Sequence, residues 1–399
     1  MAIVLASKQD CTGCLACIDI CPKSAINRII GDDGHQYVKI DPSKCIECGL
    51  CEKACPIVSD FSYQTKTGQT KSQPFAAWNT NEEQRLNSAS GGIFAALATY
   101  IISIGGYVSG AISDGKYVRH IIIDKQEDLP KLQGSKYLQS NTQGIYKQIR
   151  DLLKQGKYVL FSGTGCQVGG LLSFLRTPYP NLITVDLVCA GVPSQYIMDK
   201  FCLEEKVNPK TIRWRDKETG WKHGLQLTIS TVEGSIIKQK TQNSFFWGGF
   251  LGGNTNRLSC HNCHFCGTDR QADFTIADYW GIKDYKEQHF NGVSVLITHS
   301  EKAKEIAKKC NIEMHETNWR DCVSHNPRIV DGKKSMTIER RILPFAIKHF
   351  NYSTMKKLYA NIMGSKDFLW LPYKVFKFLR WKINGYSISK KTNKILNNL

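Results

Sequence analysis

Cys11-Thr12-Gly13-Cys14-Leu15-Ala16-Cys17-Ile18-Asp19-Ile20-Cys21-Pro22 has the spacing C-x2-C-x2-C-x3-C-P, and Cys45-Ile46-Glu47-Cys48-Gly49-Leu50-Cys51-Glu52-Lys53-Ala54-Cys55-Pro56 repeats it to the residue. Three thiols three positions apart on a tight loop supply one face of the tetrahedron that a four-iron cube needs, and the fourth thiol must come from elsewhere. Where the run occurs twice, the last cysteine of each copy serves the other cube. This predicts Cys11, Cys14, Cys17 and Cys55 around one cluster and Cys45, Cys48, Cys51 and Cys21 around the second. The proline stops the short helix and turns the chain away. Between the copies, Ile29-Ile30, the turn Asp32-Asp33-Gly34 and residues 37–40 read as a hairpin. Zinc ribbons also use C-x2-C pairs, but two full copies ending in Cys-Pro favour iron. Residues 1–61 are therefore expected to form a bacterial-type ferredoxin fold holding two 4Fe-4S clusters.

At 399 residues the chain exceeds one ordinary core, so two or three domains are expected. Apolar content of 42% and charged content of 22% are those of a globular protein, which removes disorder as the default. No stretch near Met1 combines a basic start, an apolar run and a small-residue cleavage site, and no apolar run reaches the roughly 18 residues of a membrane span. A cytoplasmic location is expected, and there sixteen cysteines mean metal or redox chemistry rather than disulfides.

The net charge of +18 suggests nucleic acid until it is located. Residues 333–399 carry fifteen Lys or Arg against Glu339 and Asp367, a net of +13. No nucleic-acid motif accompanies that charge, so no nucleic-acid partner is expected. Residues 331–399 read as a basic, aromatic helical tail. Its run 368–383 suits either a helix closing the core behind a Lys/Arg rim or peripheral contact with an anionic membrane.

Downstream of the cysteine repeats, residues 62–74 are small and polar and read as a linker. Strand-like runs at 106–113, 118–124, 158–163, 182–189, 225–232 and 292–298 then alternate with helical runs at 92–103, 144–154, 166–176, 194–206 and 301–310. The expected body is α/β or α+β, its N-terminal part at 75–150 and its C-terminal part at 151–330.

Three places in this body carry chemistry. Ser88-Ala89-Ser90-Gly91-Gly92 opens an apolar helix, where close backbone approach and free N–H groups suit a phosphate. Gly163-Thr164-Gly165-Cys166-Gln167 is a strand-to-helix turn, and a cysteine at a helix start is a good ligand or nucleophile. A similar unit recurs around Cys189, which is expected to be a packed residue. The third place is Cys260-His261-Asn262-Cys263-His264-Phe265-Cys266, a C-x2-C-x2-C run without a local fourth cysteine. That pattern fits a third 4Fe-4S cluster with Cys166 as the distant ligand, and the interleaved histidines keep zinc as its competitor.

Taken together, residues 88–97, Gly134-Ser135-Lys136-Tyr137, 161–167, 186–194, Arg215-Asp216-Lys217-Glu218-Thr219-Gly220-Trp221 and 260–281 resemble the beta-subunit family of the coenzyme F-420 (deazaflavin) hydrogenases and dehydrogenases, in the form with a fused N-terminal ferredoxin. The resemblance implies FAD in the body with a cluster beside it. It implies that Ser88, Ser90, Gly91 and Gly92 touch the flavin phosphates. Gly134, Ser135, Lys136 and Tyr137, with Gly163, Thr164 and Gln167, would line the same pocket. Cys166, Cys260, Cys263 and Cys266 would hold the third cluster. Asp216, Lys217, Asp278 and Tyr279 become the candidates for positioning substrate or a proton. Two departures stand out: Gly165 replaces a usual proline, and Ala190 stands where the family commonly has histidine.

The expected function is a flavin-dependent iron–sulfur oxidoreductase, taking electrons from or giving them to ferredoxin or another redox protein and acting on a small molecule or a deazaflavin. The competing expectation is a non-catalytic electron-transfer subunit. A homo-oligomer is compatible with either.

Overall fold

The computed structural model describes residues 3–59, 72–222, 226–240, 245–268, 270–331 and 335–359. Most of the linker read at 62–74 and the aromatic run 368–383 of the tail lie outside the described residues. Among the described residues no helix is long and apolar enough to cross a membrane.

In the N-terminal module, β1 (Ile26–Ile30) and β2 (Gln36–Ile40) pair antiparallel with Ile26 opposite Ile40 and Ile30 opposite Gln36. Gly34 turns the hairpin at φ 74°, a conformation glycine adopts without steric cost. Two short helices, Ala16–Ile20 and Leu50–Lys53, are entered through left-handed residues, Leu15 and Gly49. These sit at matching places in the two cysteine repeats, so duplicated sequence becomes duplicated backbone. Leu15, Ile18, Ile26 and Cys51 form the module's small core.

The body is built on a nine-stranded mixed sheet. Its strands are β3 (Gln73–Asn79), β4 (Tyr107–Asp114), β5 (Tyr117–Ile123), β6 (Ser140–Asn141), β7 (Val159–Thr164), β8 (Leu182–Leu187), β12 (Phe274–Asp278), β13 (Ser294–Thr298) and β14 (Ile312–Glu316). The spatial order is β14-β3-β13-β12-β8-β7-β4-β5-β6. Its centre, β12-β8-β7-β4, is parallel, whereas the β14-β3-β13 side runs antiparallel. A separate three-stranded sheet joins β9 (Pro209–Asp216), β10 (Gln226–Thr231) and β11 (Ile236–Lys240).

Parallel strands need crossovers. The helix Ile145–Lys154 lies between β6 and β7 in the chain, and Gly165–Leu175 joins β7 to β8. In such sheets ligands bind beyond the carboxyl ends of the strands. Here β7 ends at Thr164, β8 at Leu187 and β12 at Asp278, which brings the neighbourhoods of Cys166, Cys189 and Asp278 to one edge. Gln73 and Pro74, read as the end of the linker, are strand residues of β3.

The helix Gly165–Leu175 is a thin wall. A Cβ at Gly165 would lie 2.8 Å from the Phe265 carbonyl oxygen, and one at Gly169 only 2.5 Å from the Phe265 ring. On Gly170 it would lie 2.8 Å from Cys14 Sγ. The departure at Gly165 thus has a steric reason, since it lets the 263–266 loop press against the helix start. The same helix touches a ferredoxin thiol through Gly170.

The two units are stitched by buried polar contacts. Asp19 accepts from the N–H groups of Gly144 (2.7 Å) and Tyr146 (3.1 Å), satisfying the open N-terminus of helix Ile145–Lys154. Thr142 Oγ1 donates to the Cys14 carbonyl at 2.7 Å. Arg257 donates to the carbonyls of Cys11 and Gln36, both at 2.6 Å, while lying over the Tyr37 ring.

Candidate functional site

The ferredoxin thiols sort into two groups in space. Burial pushes Cys14 up to about 12, and the neighbouring charges that raise it further are Cys55 and Cys11. Cys17 is raised first by burial and then by Cys14, Cys11 and Cys55, with Cys51 of the other group last. On the other side, Cys51 is pushed up to about 11 by burial, with Glu52 and Cys21 as its charged neighbours. Cys21, Cys45, Cys48 and Cys51 share the lining of one small cavity with Ile3, Ile26 and Ile40. The group containing Cys14 faces the body. The group containing Cys48 reaches solvent, since Cys48 is exposed.

A second set of thiols gathers at the carboxyl edge of the sheet. Cys166 begins the helix after β7, and its Sγ lies 3.1 Å from Thr164 Oγ1. After burial and that contact, the groups acting on Cys166 are Cys189, Cys260 and Cys14. Cys260 feels Cys189, and Cys263 feels Cys266 and Cys166. Cys189 was expected to be a packed residue; the structure puts it among these thiols instead. Neighbouring parallel strands end in neighbouring loops, so the turns after β7 and β8 deliver their cysteines side by side.

The guanidinium of Arg328 joins them, donating to the Cys189 carbonyl at 2.9 Å. Its own affinity for protons is lowered first by burial, against the opposing pull of Cys189, Cys260, Cys263 and Cys266. Among the described residues no three His, Cys, Asp or Glu side chains converge to hold a single metal ion.

Beside these thiols opens a cavity of about 570 Å³, within the usual range for small-molecule and cofactor sites. One wall carries Ser88, Ser90 and Gly92 at the start of helix Ile93–Ser103; another carries Gly134, Ser135, Lys136 and Tyr137. Gly163, Thr164 and Gln167 also line it, as do Cys166, Cys189, Cys260 and Cys263. Gly91 does not; its N–H is held by Ser294 Oγ at 2.9 Å, and a Cβ there would strike the Ala77 carbonyl. Asp10 and Thr12 of the ferredoxin module reach the same space.

Of the four candidates for substrate or proton positioning, one lines the cavity. Asp278 pairs with the buried guanidinium of Arg215, accepts from Trp221 Nε1 at 2.7 Å, and sits beside Trp280, which stacks on Trp221 with ring centroids 5.0 Å apart. Arg215 Nε is buried without a hydrogen-bond partner. Asp216 instead accepts from Thr228 Oγ1 (2.9 Å) and the Glu218 N–H (3.0 Å). Tyr279 is 3% exposed within an apolar cluster, its hydroxyl 2.6 Å from Thr317 Oγ1. Lys217 is spent on backbone carbonyls. Burial, with Arg85 and Arg215 close by, pulls it down to about 7.

A buried pair in the cavity wall escaped the sequence reading. His120 Nε2 lies 3.0 Å from the Ser162 carbonyl, which can only accept, so Nε2 carries the proton and Nδ1 accepts from Ser140 Oγ at 2.6 Å. Burial pulls His120 down to about 4, so the imidazole is neutral at physiological pH. The available signal was a histidine at an inward position of strand β5, two residues after buried Val118.

Residues 156–318 match the family described as the C terminus of the coenzyme F420 hydrogenase/dehydrogenase beta subunit, and residues 10–58 match the 4Fe-4S dicluster domain. Over 326 residues the chain is 27% identical to a coenzyme F420-dependent sulfite reductase of Methanocaldococcus jannaschii, covering 77% of this chain and 46% of that protein. The chain thus spans about half the length of that relative. Its cysteine-repeat region is 35% identical over 57 residues to a 7Fe ferredoxin of Hydrogenibacillus schlegelii, covering 14% of this chain and 67% of the ferredoxin. A chain from the F420-reducing [NiFe] hydrogenase complex of Methanosarcina barkeri superposes with a TM-score of 0.43 at 15% identity, over 73% of this chain and 92% of that one.

Proposed function

We propose that this chain, whose residues 156–318 match the C terminus of the coenzyme F420 hydrogenase/dehydrogenase beta subunit and whose residues 10–58 match a 4Fe-4S dicluster domain, is an iron–sulfur flavoprotein oxidoreductase. It exchanges single electrons with ferredoxin or another redox protein through the exposed Cys48 end. Hydride equivalents are exchanged with a small molecule, a deazaflavin being the leading class, in the 570 Å³ cavity. The observation that carries this reading is that one cavity shares its walls with the Ser88–Gly92 turn and with four thiols of the second set.

The residues fit the implied groups. The helix Ile93–Ser103 would present its N–H end to a pyrophosphate, while the Ser88 and Ser90 hydroxyls donate to the Gln84 and Val293 carbonyls and so shape the turn, and the stem of Lys136 with the ring of Tyr137 flanks that end. Bound there, FAD would supply the change between two-electron and one-electron chemistry. Asp278, held by Arg215 and Trp221, would orient a substrate in front of Trp280. The Ser140 hydroxyl, its proton directed at His120, would turn its lone pairs to the bound molecule. Helix Gly165–Leu175 would keep water from between the inner ferredoxin cluster and the third one.

Anaerobic purification with iron, sulfide, zinc and flavin analysis tests the assignment. About twelve irons and one FAD per chain are expected. About eight irons with zinc would remove the third cluster, and clusters without flavin would make the chain an electron relay for a separate enzyme.

Affinity for the cofactor should depend on pH through Lys136. Burial pulls its ammonium, which donates to the carbonyls of Lys131, Leu132 and Gln133, down to about 7, and an anionic phosphate nearby would raise it again through charge alone, so binding would take up a proton. A group whose pKa is raised by its ligand contributes affinity fully below the free value and loses it as pH rises. Binding of FAD or ADP to deflavinated protein should therefore weaken above pH ~7, by at most about tenfold per pH unit. A profile flat across this range would mean that Lys136 stands apart from the phosphates.

A further inference from the structure

Lys217 lies beside the cavity without lining it, and it is only 4% exposed. Its ammonium has three N–H bonds, and all three are used: on the carbonyls of Arg85 (2.6 Å), Ser90 (2.7 Å) and Asn291 (2.6 Å). None is left for a bound molecule. The acceptors come from two separate stretches of chain. Arg85 and Ser90 bracket the turn that opens helix Ile93–Ser103, and Asn291 belongs to the loop before β13.

Other contacts tie the same two stretches. Arg85 donates to the Gly292 carbonyl from Nε (3.1 Å) and Nη2 (2.6 Å), and to Gln288 Oε1 at 2.6 Å. Ser90 Oγ donates to the Val293 carbonyl at 3.1 Å. Remove Lys217, and the carbonyls of Arg85, Ser90 and Asn291 face one another with no donor between them, a set that repels.

We infer that Lys217 is a positioning residue acting as a built-in monovalent cation, which holds the 88–92 turn in the shape that receives the cofactor's phosphates. The geometry is that of an ion site, because backbone carbonyl oxygens converging on one point are the donor set that potassium takes in channel filters. A lysine there makes the cation part of the chain. The inference rests on the flavin reading given above for its cofactor, though not for the carbonyl cluster itself.

The test is chemical rescue of Lys217→Ala in the full chain, measured at a pH below 7, where the native ammonium is charged. Flavin retention and thermal midpoint are both read with ammonium chloride, potassium chloride or tetramethylammonium chloride at equal ionic strength. Without a fitting cation, flavin should bind about tenfold or more weakly, as expected for losing charge-assisted hydrogen bonds. Ammonium should restore several-fold of that loss and raise the midpoint. Tetramethylammonium, too large and without N–H groups, should do neither. Lys217→Gln, which keeps two N–H donors without the charge, should fall between wild type and Ala and guards against a variant that fails to fold.

Flavin affinity unchanged in Lys217→Ala, or a loss indifferent to ammonium, overturns the inference. Wild-type protein that binds no flavin fails the functional reading instead, and the midpoint then still reports whether ammonium occupies the carbonyl cluster. A midpoint that ignores ammonium overturns the cation role as well.

Discussion

Replacing Cys55 by alanine is expected to remove the inner ferredoxin cluster, the one that faces the body, although Cys55 lies in the second cysteine repeat. Iron should fall from about twelve to about eight per chain, and reduction of the flavin by a soluble low-potential donor should drop to background. The reason is the crossing of the ligands: Cys55 acts on Cys14 and Cys17, whereas Cys21 acts on Cys51. The mirror variant Cys21→Ala should lose the outer cluster and leave the inner one, so that small-molecule reductants still reach the flavin. The two variants are told apart by which iron a hydrophilic chelator strips first, since the outer group contains the exposed Cys48. If Cys21→Ala instead removed the inner cluster, ligation would be uncrossed, each cysteine repeat holding its own cluster.

Arg340→Met should be the most destabilising single change outside the cysteines. Arg340 and Asp33 form an ion pair across the two units at 2.6 Å, with their side chains 2% and 1% exposed. Breaking such a pair leaves an uncompensated buried charge, at a cost of about 3–5 kcal/mol. That corresponds to roughly 10 °C in the midpoint of thermal bleaching.

Asp33 also accepts from Tyr37 Oη at 3.0 Å. Burial by itself would raise its carboxyl, but the Arg340 guanidinium and the Tyr37 hydroxyl hold it below the usual carboxylate range, while burial pulls neighbouring His35 down to about 3 and leaves it neutral. The contribution of Asp33 is therefore present above pH ~4 and lost as the pH falls through the depressed value. Adding Asp33→Asn to Arg340→Met removes the stranded charge and should recover most of the loss. A double variant no more stable than Arg340→Met would show that the guanidinium works through its other contact, the Asn256 carbonyl.

Much of the architecture can be read from local pattern. The runs read at 158–163 and 182–189 appear as Val159–Thr164 and Leu182–Leu187, and the helix read at 144–154 appears as Ile145–Lys154. Apolar periodicity in a segment buried on both faces survives any tertiary context. Among the described residues six strands stay unread, β3, β6, β9, β11, β12 and β14, and β9 and β14 show what hides them. Residues 209–216 interleave Lys210, Arg213 and Arg215 with Ile212 and Trp214, and β14 is charged along most of its length. Phe274–Asp278 drew attention for its acid rather than its pattern, yet it is a central strand.

The eight ferredoxin cysteines were decided by sequence alone, because a three-residue spacing on a tight loop is itself a ligand geometry and needs no distant partner to be recognised. Tertiary structure decided the rest of the chemistry. Cys189 joins Cys166 and the 260–266 run only because β7 and β8 lie side by side and end together. In a strand, successive side chains point to opposite faces. So Asp278 meets the cavity while adjacent Tyr279 enters the apolar core behind it. Beyond the end of β9, Lys217 turns to three carbonyls instead of a substrate. Sequence told which residue types were present, and only the sheet told which of them face the same space.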